Sequence, residues 1–378
     1  MVMSNHILDS IKDSNVLVTG GCGFIGSEVT KQLSQIGANV TVIDNFSSGK
    51  RKYVENFSNV KIQEGDLGDE TTISSLVKEK DYIINLAALP FIPDSFHYPK
   101  EFFDVNVNST INLALIAAKQ KSLRRLVHIS SSEVYGSARY VPMDENHPTT
   151  PQSTYAVSKL AGERVVYTMS KEHNIPAVII RPFNSFGPNI TQPYIIPEII
   201  SQLLKNQTKL KLGNIQSSRD LTFVSDTANA IILALVTEGV IGETINVGSG
   251  RAFTVSELVE NISSLMGIDD VTIDIDSSRF RPHDVDKLVC DSDRAESLLN
   301  WSPKTSVTEG LKTTINWVKE NGIEFLRPFK GWTSTYRSNW LLKKEMKLNE
   351  KTVLVTGGNG FLGKFVLREL ELKKTKKI

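Results

Sequence analysis

Tyr155 and Lys159 stand four residues apart in Tyr155-Ala156-Val157-Ser158-Lys159, a spacing that puts both side chains on one face of a helix. An ordinary phenol loses its proton near pH ~10, and bringing it to neutrality takes about 4 kcal/mol of preferential phenolate stabilisation. A neighbouring ammonium is one natural source of it. A tyrosine so placed can take the proton from a hydroxyl group that is being oxidised. On its own the pair reads as a half-buried tyrosine beside a solvated lysine, so its meaning depends on the elements around it.

Those elements begin with Thr19-Gly20-Gly21-Cys22-Gly23-Phe24-Ile25-Gly26. The apolar run Val16-Leu17-Val18 before it predicts a short buried strand, and Phe24, Ile25, Val29 and Leu33 recur at helical spacing after it. Gly20 can take a backbone conformation closed to other residues, Gly23 lets the main chain approach a pyrophosphate, and Gly26 lets the helix pack closely on the strand. The helix N-terminus then presents free N–H groups and a partial positive charge to phosphates. A second strand, Val40 to Ile43, ends in Asp44, where a carboxylate can accept hydrogen bonds from adenosine ribose hydroxyls. It would repel a 2′-phosphate, which favours NAD over NADP, although Lys50, Arg51 and Lys52 soften the preference. Asn45 follows Asp44. Gly65-Asp66-Leu67 follows a third strand-like stretch, and Leu86-Ala87-Ala88 closes a fourth, so Asp66, Leu67, Leu86, Ala87 and Ala88 join the expected cofactor-binding set, as do Phe24, Ile25, Asn45, Tyr155 and Lys159.

The composition sets outer bounds. At 378 residues and 40% hydrophobic content the chain can bury one large core or two moderate ones. Forty-three basic against 42 acidic residues give a formal charge of +1, so nothing points to nucleic acid or an anionic membrane. The two cysteines, Cys22 and Cys290, read as small fillers; no metal site is expected. With no signal peptide and no apolar stretch long enough to span a bilayer, the expectation is a cytoplasmic enzyme.

From residue 15 to 182, strands and helices alternate in the manner of a doubly wound parallel sheet, with Leu126 to Ile129 and Ala177 to Ile180 as further strands. Helical segments are predicted over about 100–119 and 153–172. The predicted fold is α/β, a doubly wound (Rossmann) sheet over 15–182 with a smaller α/β substrate-binding lobe over 183–330, interleaved with it. An N-terminal extension covers 1–14 and a linker 331–345. Residues 346–378 repeat the opening motif, with Gly357, Gly360 and Gly363 matching Gly20, Gly23 and Gly26. Met346 to Glu350 looks like a protein start, so this tail is expected to be the truncated beginning of a related protein. The alternative is a C-terminal adornment on the main body.

Taken together, the motifs resemble the extended short-chain dehydrogenase/reductase family, specifically its NAD-dependent nucleotide-sugar epimerases and dehydratases. The resemblance covers residues 15 to 320. It rests on Thr19 to Gly26, Ser130-Ser131-Ser132-Glu133-Val134-Tyr135-Gly136, Tyr155 to Lys159, Arg181 to Pro188, Arg219 to Asp226 and Arg281-Pro282-His283-Asp284. It implies that Ser131 hydrogen-bonds the sugar hydroxyl being oxidised, that Asn184 touches the substrate diphosphate, and that Arg219 and Arg281 clamp its phosphates. A guanidinium suits that task because it offers paired donors. The bland counterpart is a surface ion pair, Arg219 with Asp220 or Arg281 with Asp284. Thr191 to Pro197 is expected to border the sugar. The resemblance also implies a homodimer formed through the helices over 100–119 and 153–172.

The family's branches share oxidation at sugar C4 and differ in the use of the ketone, which leads to loss of water across C5 and C6, decarboxylation or epimerisation. Glu133 makes the difference, because a carboxylate beside these carbons can act as the C5 base. Dehydratases of dTDP-glucose resemble Thr-Asp-Glu where this chain has Ser131-Ser132-Glu133, so Ser132 stands in the place of their acid. Glu133 would then both take the C5 proton and return it to the leaving hydroxyl. The surrounding pattern is similar to dehydratases of nucleotide-linked N-acetylglucosamine in the legionaminic acid pathway. The sequence therefore favours a 4,6-dehydratase, with UDP-glucuronate decarboxylase and 4-epimerase as alternatives and a non-catalytic dinucleotide-binding protein as the distant one.

Overall fold

In the computed structural model, the described residues are 10–322, except 191, 206–207 and 281–283, and 353–372, except 358. The chain divides into two compact units, Met1–Trp332 and Thr333–Ile378.

The first unit is built on seven parallel strands: β1 (Asn15–Thr19), β2 (Asn39–Asp44), β3 (Val60–Glu64), β4 (Tyr82–Asn85), β5 (Arg125–Ile129), β6 (Ala177–Pro182) and β10 (Thr244–Val247). Their order across the sheet is β10-β6-β5-β4-β1-β2-β3. The inner strands are buried along their whole length, which is why they read as continuous apolar runs: helices cover both faces of a parallel sheet. Successive residues of β1 feed opposite cores, Val16 and Val18 packing with Val29, Leu33 and Ile231 on one side, Leu17 with Ile83, Leu113 and Val166 on the other. The strand order reverses between β1 and β4, which opens a crevice above their carboxyl ends.

The helix Phe24–Ile36 starts directly at the glycine loop and stops at Gly37, whose left-handed backbone (φ 94°) lets its N–H bond back to the last turn. The helix Thr154–His173 begins where the Ser153 side chain accepts from the Ala156 N–H at 3.1 Å. The segment predicted as one helix over 100–119 is instead Pro99–Phe103, a single π-helical turn at Asp104–Asn108, and Ser109–Ala117.

Beyond β6 the chain forms β7 (Asn184–Phe186), β8 (Lys209–Leu212), β9 (Ser218–Phe223), β11 (Ala252–Thr254), β12 (Thr272–Ile275) and β13 (Lys287–Leu288). β9 pairs with β7, β11 and β13, and β8 with β12. These strands pack with the helices Ile195–Leu204, Val255–Met266 and Val307–Asn321 around Ile199, Leu210, Ile262 and Ile315. Between these elements the chain returns to the large sheet as β10, the one strand of that sheet that the sequence pattern did not predict.

In the second unit the described residues form a glycine turn and the helix Phe361–Leu372. Gly357 has φ 73° and accepts from the Gly360 N–H at 2.9 Å, as Gly20 has φ 67° and accepts from Gly23 at 3.1 Å. Residues 353–355 are assigned to no strand. The N-terminal residues 1–9, the linker at 331–345 and Met346 to Glu350 lie outside the described residues.

Candidate active site

A cavity of about 440 Å³ runs along the carboxyl edge of the sheet into the smaller lobe. It brings together Gly20, Gly23, Phe24, Ile25, Gly26, Asp44, Asn45, Asp66, Leu67, Leu86, Ala87 and Ala88 with Ser131, Ser132, Glu133, Tyr155, Lys159, Asn184 and Arg219. Arg281 and Thr191 lie outside the described residues, whereas Gln192 and Pro193 to Pro197 do line the cavity.

The glycine end is shaped by close backbone approach. A Cβ at Gly20 would lie 2.9 Å from the Ala87 backbone, and one at Gly26 only 2.0 Å from the Gly20 carbonyl oxygen. Thr19 joins the loop to β4: its hydroxyl donates to Asn85 Oδ1 at 2.8 Å and accepts from the Leu86 and Ala87 N–H groups at 3.2 and 3.1 Å. Asp44 accepts from the Cys22 N–H at 2.9 Å and the Phe46 N–H at 2.8 Å, so it braces the loop as well as facing the cavity. Burial raises its carboxyl above the usual range, and the two N–H groups pull it back. Asn45 donates to Asp66 at 2.9 Å and fixes the next rim residues. Arg51, which the sequence set against a strict NAD preference, lies with its guanidinium 5.1 Å from the centre of the Phe46 ring and 3.9 Å from Glu64. The glycine cradle, the helix N-terminus and the Asp44 carboxylate fit a dinucleotide with unsubstituted ribose hydroxyls.

The reactive end is assembled from three elements. Ser131 caps the 3₁₀ turn Ser132–Tyr135, its Oγ accepting from the Glu133 N–H at 3.2 Å. This turn sets Ser131, Ser132 and Glu133 side by side, all buried. Tyr155 is half-buried on the facing helix, hydrogen-bonded to the Ser131 side chain and held by the Phe102 ring in an edge contact. Burial pushes its phenol up to about 12; the Ser131 bond opposes the rise and the Glu133 carboxylate adds to it. Lys159 donates to the Ile129 carbonyl oxygen at 2.6 Å. Burial brings it down to about 8 while Glu163 holds it up. The expected lowering of Tyr155 by a neighbouring ammonium does not appear: burial, the Ser131 bond and Glu133 set its titration, and a base at neutral pH needs further positive charge at the site.

In the smaller lobe, Asn184 Oδ1 and Gln192 Oε1 are buried without a hydrogen-bond partner among the described residues, which leaves two acceptors for a ligand that carries donors. Arg219 does not pair with Asp220. It reaches Asp284 at 3.4 Å, because Asp220 is fully buried and already accepts from the Ser249, Gly250 and Cys290 N–H groups. Arg279, to which the sequence assigned no role, also lines the cavity and lies 3.0 Å from Glu198. Asn106, in the π-helical turn, was missed too: it accepts from the Leu89 N–H and donates to Ser158 Oγ, both at 2.9 Å. Its only sequence signal was an asparagine inside an otherwise helical pattern.

The family model described as GDP-mannose 4,6 dehydratase matches residues 17–314. The chain belongs to that family. Within this family of nucleotide-sugar epimerases and dehydratases, a putative UDP-glucose 4-epimerase of Methanocaldococcus jannaschii is 31% identical over 81% of this chain and 99% of its own length. Among solved structures, the epimerase Mth375 of Methanothermobacter thermautotrophicus superposes with a TM-score of 0.79 at 31% identity, covering 84% of this chain and 96% of its own. The dTDP-glucose 4,6-dehydratase DesIV of Streptomyces venezuelae, solved with NAD bound, gives 0.76 at 28% identity, covering 83% of this chain and all of its own. Epimerases and dehydratases thus lie at similar distances. The family is established at the level of a sugar-nucleotide enzyme. Among the described residues no cluster of side chains could hold a metal ion, and no helix is long and apolar enough to cross a membrane.

Proposed function

We propose that this enzyme is a nucleotide-sugar 4,6-dehydratase acting on a UDP- or GDP-linked N-acetylglucosamine, with NAD as its cofactor. The observation that carries the reading is the Glu133 carboxylate, which lines the same cavity as Ser131 and Tyr155 and is close enough to raise the phenol. Gly20, Gly23, Gly26 and Asp44 hold the dinucleotide, and the rim from Asn45 and Asp66 to Ala88 borders it. The chemistry NAD supplies is acceptance of hydride from sugar C4 and its later return to C6.

The chain's own groups move the protons. Ser131 orients the C4 hydroxyl, and Tyr155 takes its proton as the ketone forms. The ketone acidifies C5–H, and Glu133 removes that proton. Ser132 is a hydroxyl group, so Glu133 also returns the proton to the C6 oxygen as it leaves as water, and a solvent proton relayed through Glu133 restores C5–H as C6 is reduced. Arg219, Arg281 and the Asn184 amide NH2 donate to the diphosphate, which leaves Asn184 Oδ1 to accept from another donor of the substrate. Two copies pair through Leu115 and Val157, which are exposed on the helices Ser109–Ala117 and Thr154–His173. Epimerisation is the second reading, favoured by the same Ser132, because a serine beside Glu133 leaves the leaving hydroxyl without a dedicated acid.

Replacement Glu133→Gln separates the two. A dehydratase so altered oxidises C4, leaves NADH on the enzyme and forms no dehydrated sugar. Dehydrated product at the wild-type rate would remove Glu133 from the mechanism.

A further inference from the structure

Three consecutive residues at the end of β5 are gripped by one stripe of the Thr154–His173 helix. Lys159 bonds the Ile129 carbonyl at 2.6 Å, Glu163 Oε2 accepts from the Ser130 hydroxyl at 2.8 Å, and Tyr155 shares a hydrogen bond with Ser131. Tyr155, Lys159 and Glu163 follow at intervals of four, on one helix face. The first two line the cavity; Glu163 lies behind it, fully buried. Its Oε1 accepts from Arg181 Nη2 at 2.6 Å and its Oε2 from Arg181 Nε at 2.9 Å. Arg181 continues through Nη1 to the Tyr135 hydroxyl at 2.8 Å, which donates to Asn246 Oδ1 at 2.7 Å. A buried ion pair is a poor source of stability, because desolvation offsets its attraction. Its position directly behind Lys159 and Ser131 suggests another use.

We propose that Glu163 is a positioning residue for the proton-transfer step, its fixed negative charge keeping Lys159 an ammonium and its bond to Ser130 holding Ser131 in register with Tyr155. The proposal rests on the reading of Tyr155 as the acid–base group. Lys159 pays the desolvation of a buried cation, and Glu163 is the carboxylate that restores its charge. The other titratable groups around it cannot. Tyr155 lies on its own helix and stays neutral through burial; Glu133, on the turn, acts on Tyr155. His128, on β5, is held well below its usual value by burial and by Lys159 itself, so it is a neutral imidazole.

The test is the protonation of Lys159 read directly, by competitive acetylation of the purified protein across a pH series with mass spectrometry of the Lys159 peptide, beside the pH profile of kcat. Glu163→Gln is expected to lower the titration of Lys159 and the alkaline limb of kcat by about one pH unit or more, with KM for the sugar nucleotide little changed. Glu163→Asp keeps the charge and leaves the limb in place. Because Glu163→Gln strands a buried guanidinium, the double variant Glu163→Gln/Arg181→Met removes both charges, and it is expected to fold with Lys159 still titrating low. A folded variant lacking Glu163 in which Lys159 titrates as in the wild type would overturn the proposal. If Lys159 shifts as expected but the wild-type enzyme oxidises no nucleotide sugar, the positioning stands and the functional reading fails.

Discussion

Lys159 and Ile129 are joined by a 2.6 Å hydrogen bond from the ammonium to a main-chain carbonyl at the end of β5. This contact ties the helix that carries Tyr155 to the strand that leads into Ser131, so the proposed acid–base residues from two elements share one reference point. It also takes the ammonium into a buried setting, and the consequences of that burial can be measured.

Activity and stability should respond to pH in opposite directions. Lys159 is lowered to about 8 in the folded chain, whereas in the unfolded chain it titrates near ~10.4. In the proposed mechanism the active form carries the ammonium, so kcat/KM is expected to fall as pH rises through about 8. Between the two values the unfolded state binds more protons, so this group's contribution to stability rises with pH. Melting temperatures of the wild type and Lys159→Met across that window isolate the effect. If the difference between them did not vary with pH, the lowered titration would be wrong.

Tyr155→Phe removes the hydroxyl group and keeps the ring against Phe102. Turnover is expected to drop by about 10²–10⁴-fold, with NAD affinity within about twofold of wild type. Calorimetry and a product assay check the two parts, and near-normal turnover would dismiss Tyr155 as the base.

Gly26→Ala tests the loop. Its new Cβ would meet the Gly20 carbonyl oxygen at 2.0 Å, a contact that only a shift of the helix away from the strand can relieve. NAD binding is expected to weaken at least tenfold and the melting temperature to fall, since overpacking of this kind costs about 1–3 kcal/mol. Gly23→Ala, whose Cβ meets the same oxygen at 3.2 Å, should be milder for folding.

Much of this was legible in the sequence. The glycine loop, Asp44 and the Tyr155–Lys159 pair are local patterns whose spacing carries their geometry. Five strands of the sheet announced themselves as apolar runs because both faces are covered, and the edge strand β3 showed only the alternation of Val60 and Ile62. The seventh, β10, is Thr-Ile-Asn-Val, and the polarity of Asn246 hid it: that side chain is buried in bonds to Tyr135 and the Met143 carbonyl. The π-helical turn was likewise invisible, because Asp104 to Asn108 fits an ordinary helix pattern. Pairings between distant segments could not be read at all. Arg219 finds Asp284 and Glu163 finds Arg181 only once the lobes and strands are folded.

Arg219→Met is expected to raise KM for the sugar nucleotide by about 10- to 100-fold and leave kcat nearly unchanged, the loss of a charge-assisted bond made equally in ground and transition states. A fall in kcat alone would move Arg219 from phosphate binding to the reacting sugar.

The most direct measurement is mass spectrometry with proton NMR of the purified enzyme incubated with UDP-N-acetylglucosamine, GDP-N-acetylglucosamine, UDP-glucose and UDP-glucuronate, without added reductant. A 4,6-dehydratase gives loss of one water and a new C6 methyl signal from one of the N-acetylglucosamine nucleotides. An unchanged mass with an altered anomeric pattern, or loss of carbon dioxide from the glucuronate, would contradict it and make the enzyme an epimerase or a decarboxylase.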